Sequence, residues 1–404
     1  MNVLFMTIAY PNYGANNLFS DLMHEFACNG HEVYIACSNE RRHGKPTSLN
    51  MEEGKHVLRI RTGNLTGNVN LIEKGFTTLT LERIFIKAIE QHFSGIKFDL
   101  ILYSTPPITL VRAVEYFKQR DNAITYLLLK DIFPQNAVDL GLIKNGSLLH
   151  RYFRKKEKKL YRISDHIGCM SPANVNFVQQ HNPEIAKDKV EVCPNSINPI
   201  HITKAKKEIR DRYKIPSSST VFIYGGNLGK PQGIEFIIEC LQNNINMKDK
   251  FFIVCGTGTE FIKLENFIKK SQPNNCLLIN GLPKEEYDEL VSACDVGLIF
   301  LDYRFTIPNI PSRLLSYMEA ALPVLAATDT NTDIGQIIEG GNFGFWCEST
   351  DVEAFNSKSS LLCNKNLREQ LGANARKYLE DNYRAEHSYN IIINHFKKRF
   401  KNYV

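Results

Sequence analysis

The 404-residue sequence lacks the motifs of several common enzyme classes. No DxD, HExxH or GxSxG motif occurs, and neither the GxGxxG pattern nor the P-loop pattern is present. The ten cysteines include no CxxC pair and no His/Cys group at metal-ligand spacing, so we interpret them as thiols in a reducing compartment. We therefore expect no catalytic metal, no acyl-enzyme and no cofactor.

Long apolar runs and a strong charge of either sign are also missing. Apolar segments such as residues 100–110 are far too short to span a bilayer. The start of the chain has no basic flank and is typical of a first strand rather than a signal peptide. The net charge of +6 does not suggest nucleic-acid binding, but it suits anionic small molecules or an anionic membrane surface.

The pattern that is present is an alternation of strands and helices. A strand, a helix, Gly30 and a second strand open the chain as a βαβ unit, which predicts a parallel sheet. The irregular segment 194–199 interrupts this alternation, which starts again at Val221. We predict an α/β protein of two doubly wound, Rossmann-like domains facing a central cleft, with ligands at the carboxyl ends of the strands.

Residues 307–326 predict a loop, a helix, a turn and a short strand. Asn309 or Ser312 can cap the helix, and Arg313 and Ser316 then share one helical face. A cation in the first turn is unfavourable unless an anion lies at the helix end. A phosphate-bearing ligand is one interpretation, and an ordinary capped helix with a solvated arginine is the alternative.

Three more loops follow strands of the second half. The glycine-rich loop 225–233 could bring backbone N–H groups close to a phosphate, although a glycine-rich turn into a helix explains it equally well. The segments 256–259 and 280–283 end the next two strands. Together with Arg313, these loops fit a nucleotide diphosphate better than any of them does alone.

Two further features lie in the first half. Lys130 and Asp131 end a strand, where a carboxylate can orient a hydroxyl group or act as a base; a helix cap or a weak surface ion pair is the alternative. Residues 151–162 are densely basic with interspersed large apolar residues. They could bind an anionic leaflet, at about 1 kcal/mol per basic residue, or form a solvated helix face.

Four segments carry a resemblance to a known family: Gly30-His31-Glu32-Val33, Pro194-Asn195-Ser196-Ile197-Asn198, Gly226-Asn227-Leu228-Gly229 with Gln232-Gly233, and Pro311-Ser312-Arg313-Leu314. They resemble the family-4 retaining glycosyltransferases of the GT-B fold, in particular the branch that builds bacterial capsule, exopolysaccharide and O-antigen. The motifs are individually loose and jointly specific, and they span nearly the whole chain in the right order.

The resemblance implies an acceptor-binding domain at residues 1–198 and a nucleotide-sugar-binding domain at residues 199–384, with a last helix, 385–401, that packs back on the first domain. It implies glycosyl transfer with retention and without metal, in which the leaving diphosphate helps to deprotonate the acceptor. Cationic and backbone donors around that diphosphate would supply most of the stabilisation.

Carried over position by position, Arg313 corresponds to the basic residue of a Pro-Ser-Lys-like motif. Asn227 stands where many members have arginine, and Gln232 stands where they have lysine. Lys230 could partly replace the positive charge that is lost. The resemblance implies that the donor diphosphate binds Arg313, Lys230, Asn227, Gln232, Gly226 and Gly14. It implies that the nucleotide and sugar contact Gly256, Gly258, Gly281, Leu282, Asn309, Ile310, Ser312, Ser316 and Glu319.

Lys130 stands where many members have a histidine that faces the donor sugar, and we expect Lys130 and Asp131 to be catalytic. The chain departs from the family at the paired glutamates that contact sugar and ribose. Pro308 and Ser316 occupy these positions, and Glu319 lies about one turn further along the helix.

The function expected is a retaining transfer from a nucleotide sugar, expected to be a UDP-sugar, to a polyprenyl-diphosphate-linked saccharide. The enzyme would be cytoplasmic and peripheral at the inner face of the cell membrane, and would build capsule or O-antigen. One alternative is a nucleotide-sugar epimerase, which needs no acceptor groove and no basic membrane face. The other is a non-catalytic GT-B scaffold that supports a partner enzyme.

Overall fold

The chain divides into two compact units. A computed structural model describes residues 1–65, 69, 71–200 and 206–401. Contacts group Met1–Asn198 with Ala385–Val404 as the first unit, and Pro199–Arg384 as the second. The helix that ends the chain is thus part of the first unit.

In the described residues, eight strands form the sheet of the first unit and six strands form the sheet of the second. The first unit contains β1 (Asn2–Thr7), β2 (Glu32–Glu40), β3 (Ser48–Glu52), β4 (Lys55–Thr62), β5 (Leu100–Ser104), β6 (Ile124–Leu129), β7 (His166–Cys169) and β8 (Val190–Val192). The second contains β9 (Thr220–Asn227), β10 (Lys250–Thr257), β11 (Cys276–Ile279), β12 (Val296–Phe300), β13 (Val324–Thr328) and β14 (Gly344–Glu348).

The described part of the chain also contains fifteen α-helices. The first unit holds α1 (Leu18–Cys28), α2 (Leu71–His92), α3 (Val111–Asp121), α4 (Gln135–Asp139), α5 (Leu148–Ile163), α6 (Pro172–His181) and α15 (Ala385–Lys401). The second holds α7 (Lys206–Arg212), α8 (Ile234–Asn243), α9 (Phe261–Ser271), α10 (Lys284–Ser292), α11 (Arg313–Glu319), α12 (Ile334–Gly340), α13 (Val352–Leu361) and α14 (Lys365–Asn382).

The first sheet has the strand order β3-β4-β2-β1-β5-β6-β7-β8. Every neighbouring pair is parallel except β3 and β4. Helix α1 begins at a capping box in which Asn17 and Ser20 bond each other's backbone. Helix α15 packs on α1, where the ring of Tyr389 lies 4.9 Å from that of Phe26 and its hydroxyl bonds His31 at 3.0 Å.

The second sheet is parallel throughout, in the order β11-β10-β9-β12-β13-β14. Its core contains stacked rings of Phe222 and Phe252, with centroids 5.2 Å apart. The inner strands β9, β10, β12 and β13 are buried on both faces over most of their length, as is usual for parallel strands between helical layers. The predicted doubly wound α/β class is confirmed.

Two strands were not predicted. Strand β3 is largely exposed and carries no apolar run, so it has no sequence signal of its own and forms only because β4 pairs with it. Strand β14 is short and begins with glycine. Because parallel strands end at the same edge, the loops after β9, β10 and β11 are placed side by side.

Candidate functional site

The glycines after β9 and β10 allow two backbones to meet. Gly256 pairs with Gly226 in the sheet, and a Cβ atom on Gly256 would lie 1.8 Å from the Gly226 carbonyl oxygen. A Cβ atom on Gly258 would lie 2.2 Å from the carbonyl oxygen of Leu228. Close packing of the strand ends therefore requires both Gly256 and Gly258. The sequence alone does not reveal this requirement.

The loop after β11 joins the same cluster. Gly281 has a φ of +71°, and a Cβ atom there would lie 3.0 Å from the Cγ2 atom of Thr257 at the end of β10. Gly281 and Leu282 are half-buried. The structure thus brings together the three strand-end loops that the sequence singled out.

Helix α11 begins at Arg313, but neither predicted cap is formed. Ser312 has helical angles, φ −61° and ψ −21°, and its side chain makes no capping hydrogen bond. The backbone N–H and C=O of Asn309 instead bond the hydroxyl of Thr332, at 3.3 and 2.8 Å. The N–H groups of Leu314 and Leu315 bond the carbonyl oxygens of Pro311 and Ser312 instead, both at 3.1 Å.

The guanidinium group of Arg313 is held in an aromatic setting. Its Cζ atom lies 4.3 Å from the ring centroid of Tyr224, and Nη2 lies 3.0 Å from the position that a Cβ atom would take on Gly226. Nη1 is buried without a hydrogen-bond partner. Within the described residues Arg313 also forms no ion pair, so the alternative of an ordinary solvated arginine is wrong.

Three tyrosines surround this cation. Burial lowers the pKa of Arg313, but the neighbouring phenols of Tyr224 and Tyr317 outweigh this effect and leave the pKa above its ordinary value. Burial raises the pKa of Tyr317 to about 12, and the charge of Arg313 partly opposes the rise. Arg313 is therefore a cation without a counter-charge, and Tyr224, Tyr287 and Tyr317 are site residues that the sequence analysis missed.

Gln232 and Asn227 stabilise the glycine-rich loop. The buried Gln232 Oε1 atom accepts hydrogen bonds from Asn227 Nδ2 at 2.9 Å and from the N–H of Gly229 at 3.2 Å. The carbonyl oxygen of Asn227 accepts one from the hydroxyl of Tyr224 at 2.7 Å. The structure therefore gives Gln232 a loop-positioning role, while Gly226 and Asn227 are exposed at the loop surface.

Lys230 lies on a separate cavity of about 490 Å³. Asp302 and Arg304 also line this cavity and bond each other at 2.7 Å, whereas Arg313 does not line it. Lys230 is exposed. The prediction that it offsets missing charge beside Arg313 is therefore not supported by the structure.

Glu319 is placed away from the start of α11. Its Oε1 atom accepts a hydrogen bond from the N–H of Ile200 at 2.8 Å. It lies six residues after Arg313, about 9 Å along the helix axis. The predicted contact of Glu319 with the donor stays a prediction, with one carboxylate oxygen already bonded to the backbone.

The remaining predicted donor residues differ in accessibility. Pro308 and Ile310 are buried, Asn309 and Ser316 are half-buried, and Ser312 is exposed. Among the residues around Arg313, Ser312 and Ser316 thus keep polar side chains that a ligand could reach.

Lys130 and Asp131 follow strand β6 in the first unit, and Gly14 follows strand β1. The Asp131 carboxylate accepts hydrogen bonds from Asn136 Nδ2 at 2.9 and 2.8 Å, and burial raises its pKa to about 6. Burial lowers the pKa of Lys130, whose Nζ atom lies 3.4 Å from the carbonyl oxygen of Pro194. The alternative of a surface ion pair is wrong, because no ion pair joins these two described residues. Gly14 lies in an exposed loop with φ +82°.

The basic segment 151–162 lies within helix α5, and part of its charge is neutralised. Ion pairs bind four of its cations to acidic residues: Arg154 to Glu157, Lys156 to Glu82, Lys158 to Glu184 and Lys159 to Glu115. Arg151, Lys155 and Arg162 form no ion pair with a described residue. These three are the cations available to an outside partner.

Exposed apolar side chains accompany this charge. Leu148 is 85% exposed at the start of α5, and Phe76 and Leu79 of α2 are 69% and 66% exposed. Glu82 of α2 bonds Lys156 of α5 at 3.1 Å, so the two helices lie in one layer. The sequence analysis missed the contribution of α2 to this face.

Two features are absent from the described residues. No three His, Cys, Asp or Glu side chains come together as a possible metal site. No helix combines the length and the apolar composition needed to cross a membrane.

Comparison with known proteins links this geometry to a family. Residues 205–378 match the family model described as glycosyl transferases group 1. The chain is 26% identical over 297 residues to the probable glycosyltransferase WbjE of Pseudomonas aeruginosa, covering 70% of this chain and 71% of WbjE. It is 22% identical to the putative colanic acid biosynthesis glycosyl transferase WcaI of Escherichia coli K12, covering 60% of each chain.

Solved structures agree on the fold. Sucrose-phosphate synthase from Thermosynechococcus elongatus superposes with a TM-score of 0.77 at 14% identity, over 99% of both chains. Anabaena Alr3699/HepE, solved with UDP-glucose, gives a TM-score of 0.71 at 13% identity, over 98% of this chain and all of HepE. The fold is therefore GT-B, and the matched residues 205–378 include Arg313 and the glycine loops.

Proposed function

We propose that this protein is a retaining, metal-independent glycosyltransferase that binds a nucleotide sugar on its second unit. The observation that carries the proposal is Arg313, a cation without a counter-charge beside the glycine loops of a group 1 domain. A diphosphate supplies the missing negative charge and oxygen acceptors for the guanidinium N–H groups. A UDP-sugar is the proposed donor, in line with the UDP-glucose bound to HepE.

In the proposed reaction, the bond between the anomeric carbon and the diphosphate oxygen breaks, and its electron pair stays on that oxygen. The acceptor hydroxyl oxygen bonds the anomeric carbon on the same face, and its proton passes to the leaving diphosphate. Negative charge grows on the diphosphate during this step. Arg313 then binds the transition state more tightly than the donor.

Lys130 and Asp131 are the proposed catalytic residues of the first unit. With its pKa raised to about 6, Asp131 is ionised near neutral pH and can accept a hydrogen bond from a sugar hydroxyl. Asn136 bonds both carboxylate oxygens and fixes their orientation. Lys130 would face the transferred sugar.

The proposed acceptor is a polyprenyl-diphosphate-linked saccharide of bacterial surface polysaccharide synthesis, capsule or O-antigen, at the inner face of the cell membrane. The description of WcaI as a colanic acid biosynthesis enzyme supports this class. The cations Arg151, Lys155 and Arg162, next to exposed Leu148, would contact an anionic bilayer. The enzyme would then be cytoplasmic and peripheral.

A non-catalytic GT-B scaffold is the second candidate. It is favoured by the replacement of the paired glutamates by Pro308 and Ser316. The carboxylate of Glu319 accepts a hydrogen bond from the N–H of Ile200. The unpaired charge of Arg313 argues for retained ligand binding, because a buried unpaired cation is costly in a protein that has no use for it.

The test is a thermal-shift screen of the full chain with UDP, GDP, ADP and their sugars, without added metal. Stabilisation by one nucleotide family, together with loss of that effect in Arg313→Ala, is expected. Incubation with donor alone and with donor plus lipid-linked acceptor then separates transfer from epimerisation. The absence of a shift with every nucleotide would contradict donor binding and leave the scaffold.

A further inference from the structure

Two loops of the first unit meet where strands β5 and β6 end. Ser104, the last residue of β5, pairs with Leu128 of β6, and the N–H of the next residue, Thr105, bonds the carbonyl oxygen of Leu128 at 3.2 Å. Strand β6 ends one residue before Lys130. The backbone hydrogen bonds of the sheet therefore stop just before Lys130 and Asp131, the two residues proposed to be catalytic.

The side chain of Thr105 supplies the next hydrogen bonds. Its Oγ1 atom accepts from the N–H groups of Lys130 and Asp131, at 3.1 and 3.3 Å, and donates to the carbonyl oxygen of Asp131 at 3.1 Å. A hydroxyl group has one proton to donate and two lone pairs with which to accept. The full capacity of this hydroxyl is thus used on the backbone of the proposed catalytic pair.

Burial makes these three bonds hard to replace. Thr105 is 2% exposed, so water has little access to its hydroxyl. Without the hydroxyl, two backbone N–H groups and one carbonyl group would lose a partner, and buried backbone groups without partners are costly. The turn at residues 130–131 would therefore move toward other partners.

The carboxylate of Asp131 depends on the same turn. It accepts hydrogen bonds from Asn136 Nδ2 and from the N–H of Ile132, and both lower its pKa against the larger effect of burial, which raises the pKa to about 6. The negative charge of Glu157, in helix α5, also acts to raise it. Because the N–H of Ile132 belongs to the peptide that follows Asp131, movement of the turn changes the hydrogen bonds of the carboxylate.

We propose that Thr105 is a positioning residue for glycosyl transfer, whose hydroxyl holds the backbone of Lys130 and Asp131 in the geometry that the reaction needs. This inference rests on the proposed function, in which the Asp131 carboxylate accepts a hydrogen bond from a sugar hydroxyl. Thr105 acts through Asp131 rather than on the substrate. Small displacements of a positioned catalytic group weaken catalysis strongly, so the bonds to its backbone matter for the rate.

The first experiment compares Thr105→Val, which keeps the shape of the side chain, with Thr105→Ser, which keeps the hydroxyl. Turnover of the nucleotide sugar selected by the thermal-shift screen is measured with the lipid-linked acceptor. We expect kcat/KM to fall about tenfold in Thr105→Val, as for one lost hydrogen bond to a charged group, and to recover in Thr105→Ser. Thr105→Cys keeps a weak hydrogen-bonding group and gives an intermediate loss, which provides the same test if Thr105→Val does not fold.

A double variant shows whether Thr105 acts through Asp131. Residues that act as one unit have non-additive effects. The variant Thr105→Val with Asp131→Asn should therefore be as active as Asp131→Asn alone. A further tenfold fall in the double variant would mean that Thr105 acts independently of Asp131, and would overturn the inference.

A second experiment does not depend on activity. Carboxyl ¹³C NMR of protein labelled at aspartate follows the titration of Asp131, whose signal is identified by its absence from Asp131→Asn. Thr105→Val should raise the pKa of Asp131 above its wild-type value of about 6, because the carboxylate loses hydrogen bonding that favours its charged form. The rise of kcat/KM with pH should move to higher pH by the same amount. Thr105→Ser should titrate as the wild type does.

The matched control is Thr125→Val. Thr125 is also buried, lies near the start of β6, and has its Oγ1 atom 3.0 Å from the carbonyl oxygen of Ile163 and 2.8 Å from Oδ2 of Asp165. Both valine variants should lower the melting temperature, because both remove a bonded hydroxyl. The pKa of Asp131 and the pH dependence of kcat/KM should change in Thr105→Val alone.

The two proposals fail in different ways. If Thr105→Val keeps the wild-type pKa of Asp131 and the wild-type kcat/KM, the inference is overturned and the proposed function stands. If the wild-type protein transfers no sugar from any nucleotide tested, while Thr105→Val still changes the pKa of Asp131, the proposed function is overturned and Thr105 only shapes the turn.

Discussion

The guanidinium carbon of Arg313 lies 4.3 Å from the ring centroid of Tyr224, and 89 residues of sequence separate the two. The aromatic face attracts the cation and holds its plane without neutralising its charge. A carboxylate partner in the same place would compete with any anionic ligand. The contact therefore keeps Arg313 positioned and electrostatically available.

Replacement of Arg313 by alanine should weaken binding of the nucleotide sugar by about tenfold or more, since a charged hydrogen bond contributes about 1.5–3 kcal/mol. Arg313→Lys should recover part of the affinity, because it restores the charge but not the planar fork. Calorimetry checks both variants against Arg212→Ala, which removes a solvent-exposed arginine paired with Glu289. Equal affinity in all variants would exclude Arg313 from the donor site.

Activity should depend on the ionisation of Asp131. Burial raises its pKa from 3.8 to about 6, so the reactive carboxylate is lost as the pH falls through about 6. We expect kcat/KM to rise with pH through this range. Asp131→Asn should lower kcat/KM by about tenfold or more and abolish the rise, because an amide replaces the charged acceptor of the sugar hydroxyl and a hydrogen bond to a charged group contributes about 1.5–3 kcal/mol. Asp188→Asn, at an exposed position, should keep the wild-type profile. An unchanged profile in Asp131→Asn would exclude this role.

Membrane binding should depend on the three unpaired cations of α5. Replacing Arg151, Lys155 and Arg162 by glutamine should release the protein from vesicles with anionic lipid, and added salt should do the same. The control replaces Lys207, Lys248 and Lys377 by glutamine, which changes the net charge equally on the second unit. If both triple variants sediment alike, charge on α5 does not direct binding.

The exposed apolar residues of α2 should add a contribution that salt does not remove. Phe76→Ser with Leu79→Ser should weaken vesicle binding at high salt, because burial of apolar area is insensitive to screening. The matched variant carries Ile262→Ser and Leu361→Ser, which are also more than half exposed. A loss of self-association in the absence of vesicles would instead indicate that this face binds a second copy.

Gly256→Ala should destabilise the second unit by about 1–3 kcal/mol, the usual cost of overpacking. The new methyl group would collide with the carbonyl oxygen of Gly226, which cannot move without breaking the sheet. Gly340→Ala has free space and should be neutral or slightly stabilising. Chemical denaturation measures both. Equal stability of the two variants would show that the strand ends adjust freely.

Local patterns determined the elements and their order. Apolar strands that alternate with amphipathic helices specified two parallel sheets, and the irregular segment 194–199 marked the change between them. The helix that contains Arg313 was also expected from the sequence, although neither expected cap forms. These features depend on residues close together in the sequence, and backbone propensity and periodicity act over that range.

The tertiary structure decided how each side chain is used. Tyr224, Tyr287 and Tyr317 come from separate elements, and only folding places them around Arg313. Gln232 bonds Asn227 and Glu319 bonds Ile200, and folding brings the members of each pair together. Local sequence fixes backbone conformation, but charge pairing and burial depend on contacts between distant segments, so the unpaired state of Arg313 could be recognised only in the fold.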